Sequence, residues 1–136
     1  MNQHFLHTLN GGSYGELLTK HYLELLGCTV QINDSQTLDG RRKSDLIVTG
    51  KTTNPVEVKT QYATARTGNV ALEHQSIKTH SAPYTIHLVP YFYLIKREDE
   101  LELIQVYPPV PGGDDGRRQS LIPLDSPDFK EKFKLL

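Results

Sequence analysis

The segment SDLIVTGKTTNPVEVKTQ, residues 44–61, predicts two short strands joined by a turn. The first strand is apolar, and in the second strand two valines alternate with Glu57 and Lys59. Residues two apart in a strand project from the same face, so Glu57 and Lys59 share one face and the valines occupy the other. A turn through residues 51–54 would fold the second strand back on the first as an antiparallel hairpin.

A helix precedes this hairpin, and further strands follow it. The segment NGGSYGELLTKHYLELLG, residues 10–27, predicts a helix with Ser13 as its N-cap, Glu16 three residues later and Gly27 at its end. The segment CTVQIN, residues 28–33, predicts a strand. Because helices and strands do not alternate as repeated βαβ units, the order of elements predicts an α+β or mixed α/β fold.

The predicted first helix is apolar on more than one side. Leu23 lies in line with Glu16 and Thr19, away from the main apolar stripe. We therefore expect one side of the helix to pack on a sheet and another side to pack on something else. The main stripe consists of Tyr14, Leu17, Leu18, Tyr22, Leu25 and Leu26.

The remainder of the chain carries weaker patterns. They predict a loop at 62–68, a short strand at 69–75, a helical turn between Pro83 and Pro90, a strand pair at 91–98 and 100–108, and an irregular Pro/Gly-rich stretch from Pro108. A short terminal helix would begin at a Ser126 cap, with Pro127 in its first position. We expect one domain, 1–136, in which 108–136 forms a C-terminal extension.

Composition limits the classes of function. The 136 residues include 15 basic and 16 acidic ones, so any nucleic-acid contact must come from local patches and not from net charge. Cys28 is the only cysteine, which excludes an intramolecular disulfide and a thiolate zinc site. No apolar run approaches membrane-spanning length, and we expect an intracellular, cytoplasmic protein.

The hairpin gathers groups that suit phosphodiester chemistry. If the strands pair, Asp45 at the head of the first strand comes near Glu57, and two such carboxylates repel each other unless a cation or a proton lies between them. Mg²⁺ favours oxygen ligands and is usually held by one or two carboxylates. Lys59 beside it would orient water, lower the pKa of water or stabilise phosphate charge. The plain alternative is a solvated strand face with an opposite-charge pair.

In sequence, SDLIVTGKTTNPVEVK resembles the PD-(D/E)xK nuclease signature, with Ser44 in place of the proline and eleven residues between Asp45 and Glu57. The closer resemblance is to archaeal-type Holliday-junction resolvases, which place a helical acid, a glycine and a strand before the motif. Here Glu16, Gly27 and CTVQIN take those places, so the resemblance covers roughly residues 12–61. It implies a restriction-endonuclease-like core, in which helices flank a mixed central sheet.

The resemblance also implies roles for single residues. Asp45 and Glu57 would ligate Mg²⁺, with Mn²⁺ as a substitute, and Glu16 would complete the acidic set. Lys59 would act on the water. Gln61 continues the same strand face and would touch the phosphate or the water, or serve only as a polar strand residue. Glu73 would be a further ligand, but we favour a surface residue there.

The activity implied is that of a metal-dependent endodeoxyribonuclease. By resemblance the first substrate is branched DNA, which requires a homodimer to cut two strands. The alternatives are a small restriction or homing-type endonuclease and a non-catalytic nucleic-acid-binding module. Arg41, Arg42 and Lys43 are by default solvated loop charges, but beside a metal site they would become phosphate contacts. Arg66 is expected as a further DNA contact.

The six histidines show no zinc-site spacing. We expect His74, His80 and His87 to be exposed or to be hydrogen bonded within the protein.

Overall fold

The computed structural model describes residues 3–32, 45–89, 91–112 and 117–135. None of the helices in these ranges is both long and apolar enough to cross a membrane. The elements in chain order are α1 Gln3–Leu25, β1 Thr29–Ile32, β2 Leu46–Thr49, β3 Thr53–Thr60, α2 Thr64–Thr67, β4 Asn69–Glu73, α3 His74–Thr79, β5 Tyr84–Leu88, β6 Phe92–Lys96, α4 Arg97–Val106, β7 Val110–Gly112, β8 Arg117–Pro123, α5 Pro127–Lys132 and β9 Lys134–Leu135.

The main sheet has six strands in the order β1-β2-β3-β5-β6-β9. Its neighbouring strands are antiparallel except for β3 and β5, which are parallel. The predicted hairpin is formed by β2 and β3, whose ladder runs from Thr49 with Thr53 to Leu46 with Val56. The predicted α+β fold with a mixed sheet flanked by helices is therefore confirmed.

The first helix begins earlier than its sequence predicts. It starts at Gln3, so the predicted Ser13 cap is wrong and the glycine pair beside it lies inside the helix. An interior glycine costs a helix only about 1 kcal/mol, which does not force an end. The predicted end is correct: Gly27 has a φ of 95°, and its N–H donates to the carbonyl of Glu24 at 3.0 Å. Such a left-handed residue is what glycine permits at a helix C-terminus.

The side of α1 that faces the sheet is not the predicted main stripe. Glu16, Thr19 and Leu23 are buried, and α1 packs on β1 and β3. Gly15 lies so close to β3 that an added Cβ would be 2.1 Å from Thr60 Oγ1. The expectation of packing is thus confirmed for the Leu23 side. The apolar residues exposed on α1 and just after it are Tyr14, Leu17, Leu18, Leu25 and Leu26.

The opposite face of the main sheet is covered by a second layer. This layer contains the three-stranded sheet β4-β8-β7 and helices α3, α4 and α5. The predicted irregular stretch after Pro108 is wrong, because β8 pairs with β4 and supplies Ile122 to the core. Phe129 of α5 and Phe133 after it lie in the same core. The described parts of this stretch, 108–112 and 117–135, thus supply strands β7 to β9, helix α5 and core residues.

Three further local predictions fail. The 62–68 loop contains the short helix α2, and the Pro83 to Pro90 region forms strand β5 in place of a helical turn. The predicted strand at 100–108 belongs to α4, because three acidic residues in its first turn favour the positive end of the helix dipole. The terminal helix is confirmed, and Ser126 Oγ accepts the N–H of Asp128 at 3.2 Å.

Candidate active site

Asp45 lies where β2 and β3 separate. Leu46 with Val56 is the last ladder pair, and one position further the register sets Asp45 opposite Glu57. Past that pair, Asp45 Oδ2 accepts the N–H of Val58 at 2.8 Å. Because Asp45 is only 4% exposed, its carboxylate is buried at the start of β2 and is not a solvated surface charge.

Glu57 and Lys59 project from the face of β3 that is turned away from α1. The two valines of this strand lie in the core beneath α1, so strand alternation directs Glu57 and Lys59 toward the second layer. In the parallel ladder with β5, Glu57 pairs with Thr85 and Lys59 pairs with His87. The face of β3 that carries Glu57 and Lys59 is therefore covered by the second layer.

Lys59 borders a cavity of about 80 Å³ that lies between the main sheet and helices α3 and α4. We call it the Lys59 cavity. Its other polar lining includes Ser76 and His80 around α3, Glu100 of α4 and Glu73 at the end of β4, together with Thr60, Gln61, Thr85 and His87. A polar space of this volume is large enough for water molecules.

The candidate metal ligands at this site are two carboxylates, Asp45 and Glu57. No group of three or more Asp, Glu, His or Cys side chains within the described ranges is placed to hold a metal ion. Mg²⁺ is usually bound through one or two carboxylates and completes its coordination with water and phosphate oxygens. Asp45 and Glu57, facing each other at the strand edge, are therefore the residues that would hold it.

Glu16 approaches the sheet from the other side. It is 7% exposed and lies on the face of α1 that packs on β1 and β3. Its neighbours on that face, Thr19 and Leu23, are buried as well. The structure places this carboxylate in the helix–sheet contact and does not group it in a three-ligand cluster among the residues described. Its part in metal binding stays a prediction.

A hydrogen-bonded chain runs behind Lys59. Gln61 Oε1 accepts the N–H of Ala71 at 2.7 Å, which fixes the orientation of the amide. Gln61 Nε2 then donates to His87 Nδ1 at 2.8 Å, and His87 Nε2 donates to Glu100 Oε2 at 2.9 Å. Thr85 Oγ1 donates to the other oxygen of Glu100. Gln61, which follows β3, is thus bonded to the backbone of β4 and to a side chain of β5. Its predicted catalytic role stays a prediction.

His80 differs from the other histidines beside this region. Neither of its ring nitrogens, both buried, has a hydrogen-bond partner among the described residues. Burial is the main cause that lowers the pKa of His80; the charge of Glu100 opposes this shift, while Arg97 and Lys59 lower the pKa further. The expectation that histidines are exposed or hydrogen bonded holds for His74, bonded to Ser120, and for His87, but is wrong for His80.

The remaining predicted DNA-binding and metal-binding residues lie on the surface or outside the described residues. Arg41, Arg42 and Lys43 fall outside the described residues. Arg66 is exposed in the last turn of α2. Glu73 is exposed and lies 3.7 Å from Arg117, which agrees with the surface role favoured for it.

Sequence patterns missed His80, His87 and Glu100. His87 joins the site because β5 runs parallel to β3, and no local spacing reveals which strands pair across a long connection. Glu100 was assigned to a strand. The signal that was present is the apolar alternation of YTIHLV, residues 84–89, in which Thr85 and His87 stand two apart on one face.

The fold has a counterpart among solved structures. The chain resembles the structure of a bacterial homing endonuclease, I-Ssp6803I, with a TM-score of 0.55, 14% sequence identity and coverage of 89% of this chain and 83% of that one. At this level of identity the likeness establishes a shared fold. No protein-family model and no curated protein matches the sequence.

Proposed function

We propose that the protein is a metal-dependent DNA endonuclease of the restriction or homing type. One observation carries the proposal: Asp45, just before β2, is buried and lies opposite Glu57 of β3 in the register. Lys59, two residues further along β3, lines a polar cavity. A strand face that merely displays charges would be solvated. The likeness to a homing endonuclease supports this type of enzyme over the Holliday-junction resolvase that the sequence suggests.

The reaction is the hydrolysis of a phosphodiester bond. The oxygen of water forms a bond to phosphorus, the bond from phosphorus to the leaving oxygen breaks, and that oxygen takes up a proton while the water loses one. Mg²⁺ or Mn²⁺, when bound, offsets phosphate charge and lowers the pKa of water. Asp45 and Glu57 would hold the cation. The backbone bond from Val58 fixes the orientation of Asp45 before any substrate arrives.

Lys59 supplies the positive charge on the protein side. It pairs with His87 in the ladder and lines the cavity beside the Gln61–His87–Glu100 chain. From there the ammonium stabilises the charge that grows on the phosphate oxygens in the transition state. A preorganised charge of this kind contributes to the rate more than to ground-state binding.

The test is a cleavage assay with several DNA structures. The substrates are a pool of duplexes with randomised sequence, single-stranded DNA and a four-way junction, each with Mg²⁺, Mn²⁺ or EDTA. Cation-dependent cleavage of duplex DNA that is lost in Glu57→Gln is expected. Exclusive cleavage of the junction would restore the resolvase assignment. DNA binding without cleavage of any substrate would establish the non-catalytic module instead.

A further inference from the structure

His80 lies at the end of α3. Its backbone N–H donates to Ser76 O at 3.1 Å and so completes the helix end. The side chain has no part in that bond. Within the described residues, His80 Nδ1 and Nε2 are both buried and lack a hydrogen-bond partner. Native proteins rarely leave a buried polar atom unpaired, and an exception points to a functional group or a bound molecule.

The surroundings of His80 are those of the candidate active site. The ring lines the Lys59 cavity together with Lys59 and Glu100. Among the charges that act on the pKa of His80, Asp45 has the smallest effect and raises the pKa. The nearby Glu100 is already hydrogen bonded by His87 and Thr85. The two histidines that line this cavity therefore differ. Both ring nitrogens of His87 are hydrogen bonded, whereas those of His80 have no partner among the described residues.

We propose that His80 binds the attacking water in the Lys59 cavity through a hydrogen bond from that water to a ring nitrogen. This inference rests on the proposed nuclease function and adds a residue that contacts a reacting molecule. A neutral imidazole has one acceptor and one donor nitrogen, so the same ring can accept from water and donate to a phosphate oxygen. The lowered pKa that burial gives His80 keeps the ring in this neutral form near neutral pH.

The first test uses single-turnover cleavage at saturating DNA. His80→Ala should lower the rate constant by about 100-fold, the scale of losing one positioned group in an active site, while the Kd for DNA measured in Ca²⁺ changes less than threefold. His80→Asn, which keeps one donor and one acceptor, should recover part of the rate. Raising the Mg²⁺ concentration should not restore the rate of His80→Ala. If it does, His80 acts on the metal and the inference is wrong.

Stability separates this role from a structural one. His80→Ala removes no hydrogen bond between described residues, so its Tm should stay within a few degrees of the wild type. The matched control is His74→Ala, which removes a 2.7 Å bond to buried Ser120. That variant should have a lower Tm and a wild-type cleavage rate. A His80→Ala variant that loses stability like His74→Ala, with a rate within threefold of wild type, would overturn the inference.

The second test leaves the protein unmutated. With ¹³C-labelled histidine rings, the His80 signal should shift when a short duplex is added in Ca²⁺, and the His74 signal should not. Absence of that shift would contradict the inference. Lys59→Ala separates the nuclease function from the role of His80. If Lys59→Ala is inactive and His80→Ala cuts normally, the nuclease stands without this role for His80; if wild-type protein cuts none of the DNAs, both fall.

Discussion

Replacement of Asp45 separates its structural role from its chemical one. The carboxylate is buried and accepts the N–H of Val58 at 2.8 Å. Asp45→Ala leaves that buried strand N–H without a partner, which costs about 1–3 kcal/mol. Asp45→Asn is nearly isosteric and keeps an acceptor oxygen for Val58, so it should cost less. Without the negative charge, however, it no longer suits a hard cation that favours carboxylate oxygens.

The assay combines unfolding and cleavage. In urea, Asp45→Ala should have a lower midpoint than wild type at an unchanged m-value, and Asp45→Asn should lie between the two. Addition of Mg²⁺ should stabilise the wild type alone, by about 2.7 kcal/mol at a concentration 100 times the Kd. Both variants should be inactive on DNA. Wild-type stability of Asp45→Ala would refute the role of the hydrogen bond, and wild-type cleavage by Asp45→Asn would refute the metal site.

Three other predictions concern packing, DNA contact and assembly. Gly15→Ala should destabilise the protein by about 1–3 kcal/mol in a urea titration, because its Cβ would lie 2.1 Å from Thr60 Oγ1; an unchanged midpoint would contradict the close helix–strand packing. Arg42→Ala should weaken DNA binding and reduce the salt slope by about one unit, at an unchanged rate on saturating DNA; an unchanged slope would remove it from the interface. Light scattering should give a dimer that Leu18→Lys or Leu25→Lys in the exposed stripe disrupts; a monomeric wild type, with and without DNA, would refute this.

Local sequence signals predict the parts of the site that lie within one hairpin. Period-two alternation separates Glu57 and Lys59 from the valines, and a short turn is enough to bring Asp45 opposite Glu57. The C-terminal stop at Gly27 and the Ser126 cap are equally local, because each depends on one backbone conformation or one side-chain bond. Such features need no information about the rest of the fold.

The sequence predictions that fail concern elements whose structure depends on contacts with residues distant in the chain. The strand β5 enters next to β3 only through a parallel connection, and this pairing brings His87 to Lys59. The alternation of ELELIQV resembles a strand, but in α4 it presents Glu100 to the sheet and buries Leu103. The main apolar stripe of α1 misled in the same way, since the buried side of that helix carries Glu16 beside Leu23, while the leucines of the stripe are exposed. Hydrophobicity alone does not identify a face that packs around a polar site.

The most direct test of the nuclease account is the single-turnover cleavage rate of Lys59→Ala at saturating DNA in Mg²⁺, measured beside Lys51→Ala. Lys51 is an exposed lysine in the β2–β3 turn, so its replacement changes the net charge equally and leaves the cavity intact. Lys59→Ala should cut about 100 to 1,000 times more slowly than wild type, with DNA binding in Ca²⁺ and the Tm close to wild type. Lys51→Ala should retain the wild-type rate. Equal rates for the two variants would mean that Lys59 is only a strand residue and would contradict the proposed active site.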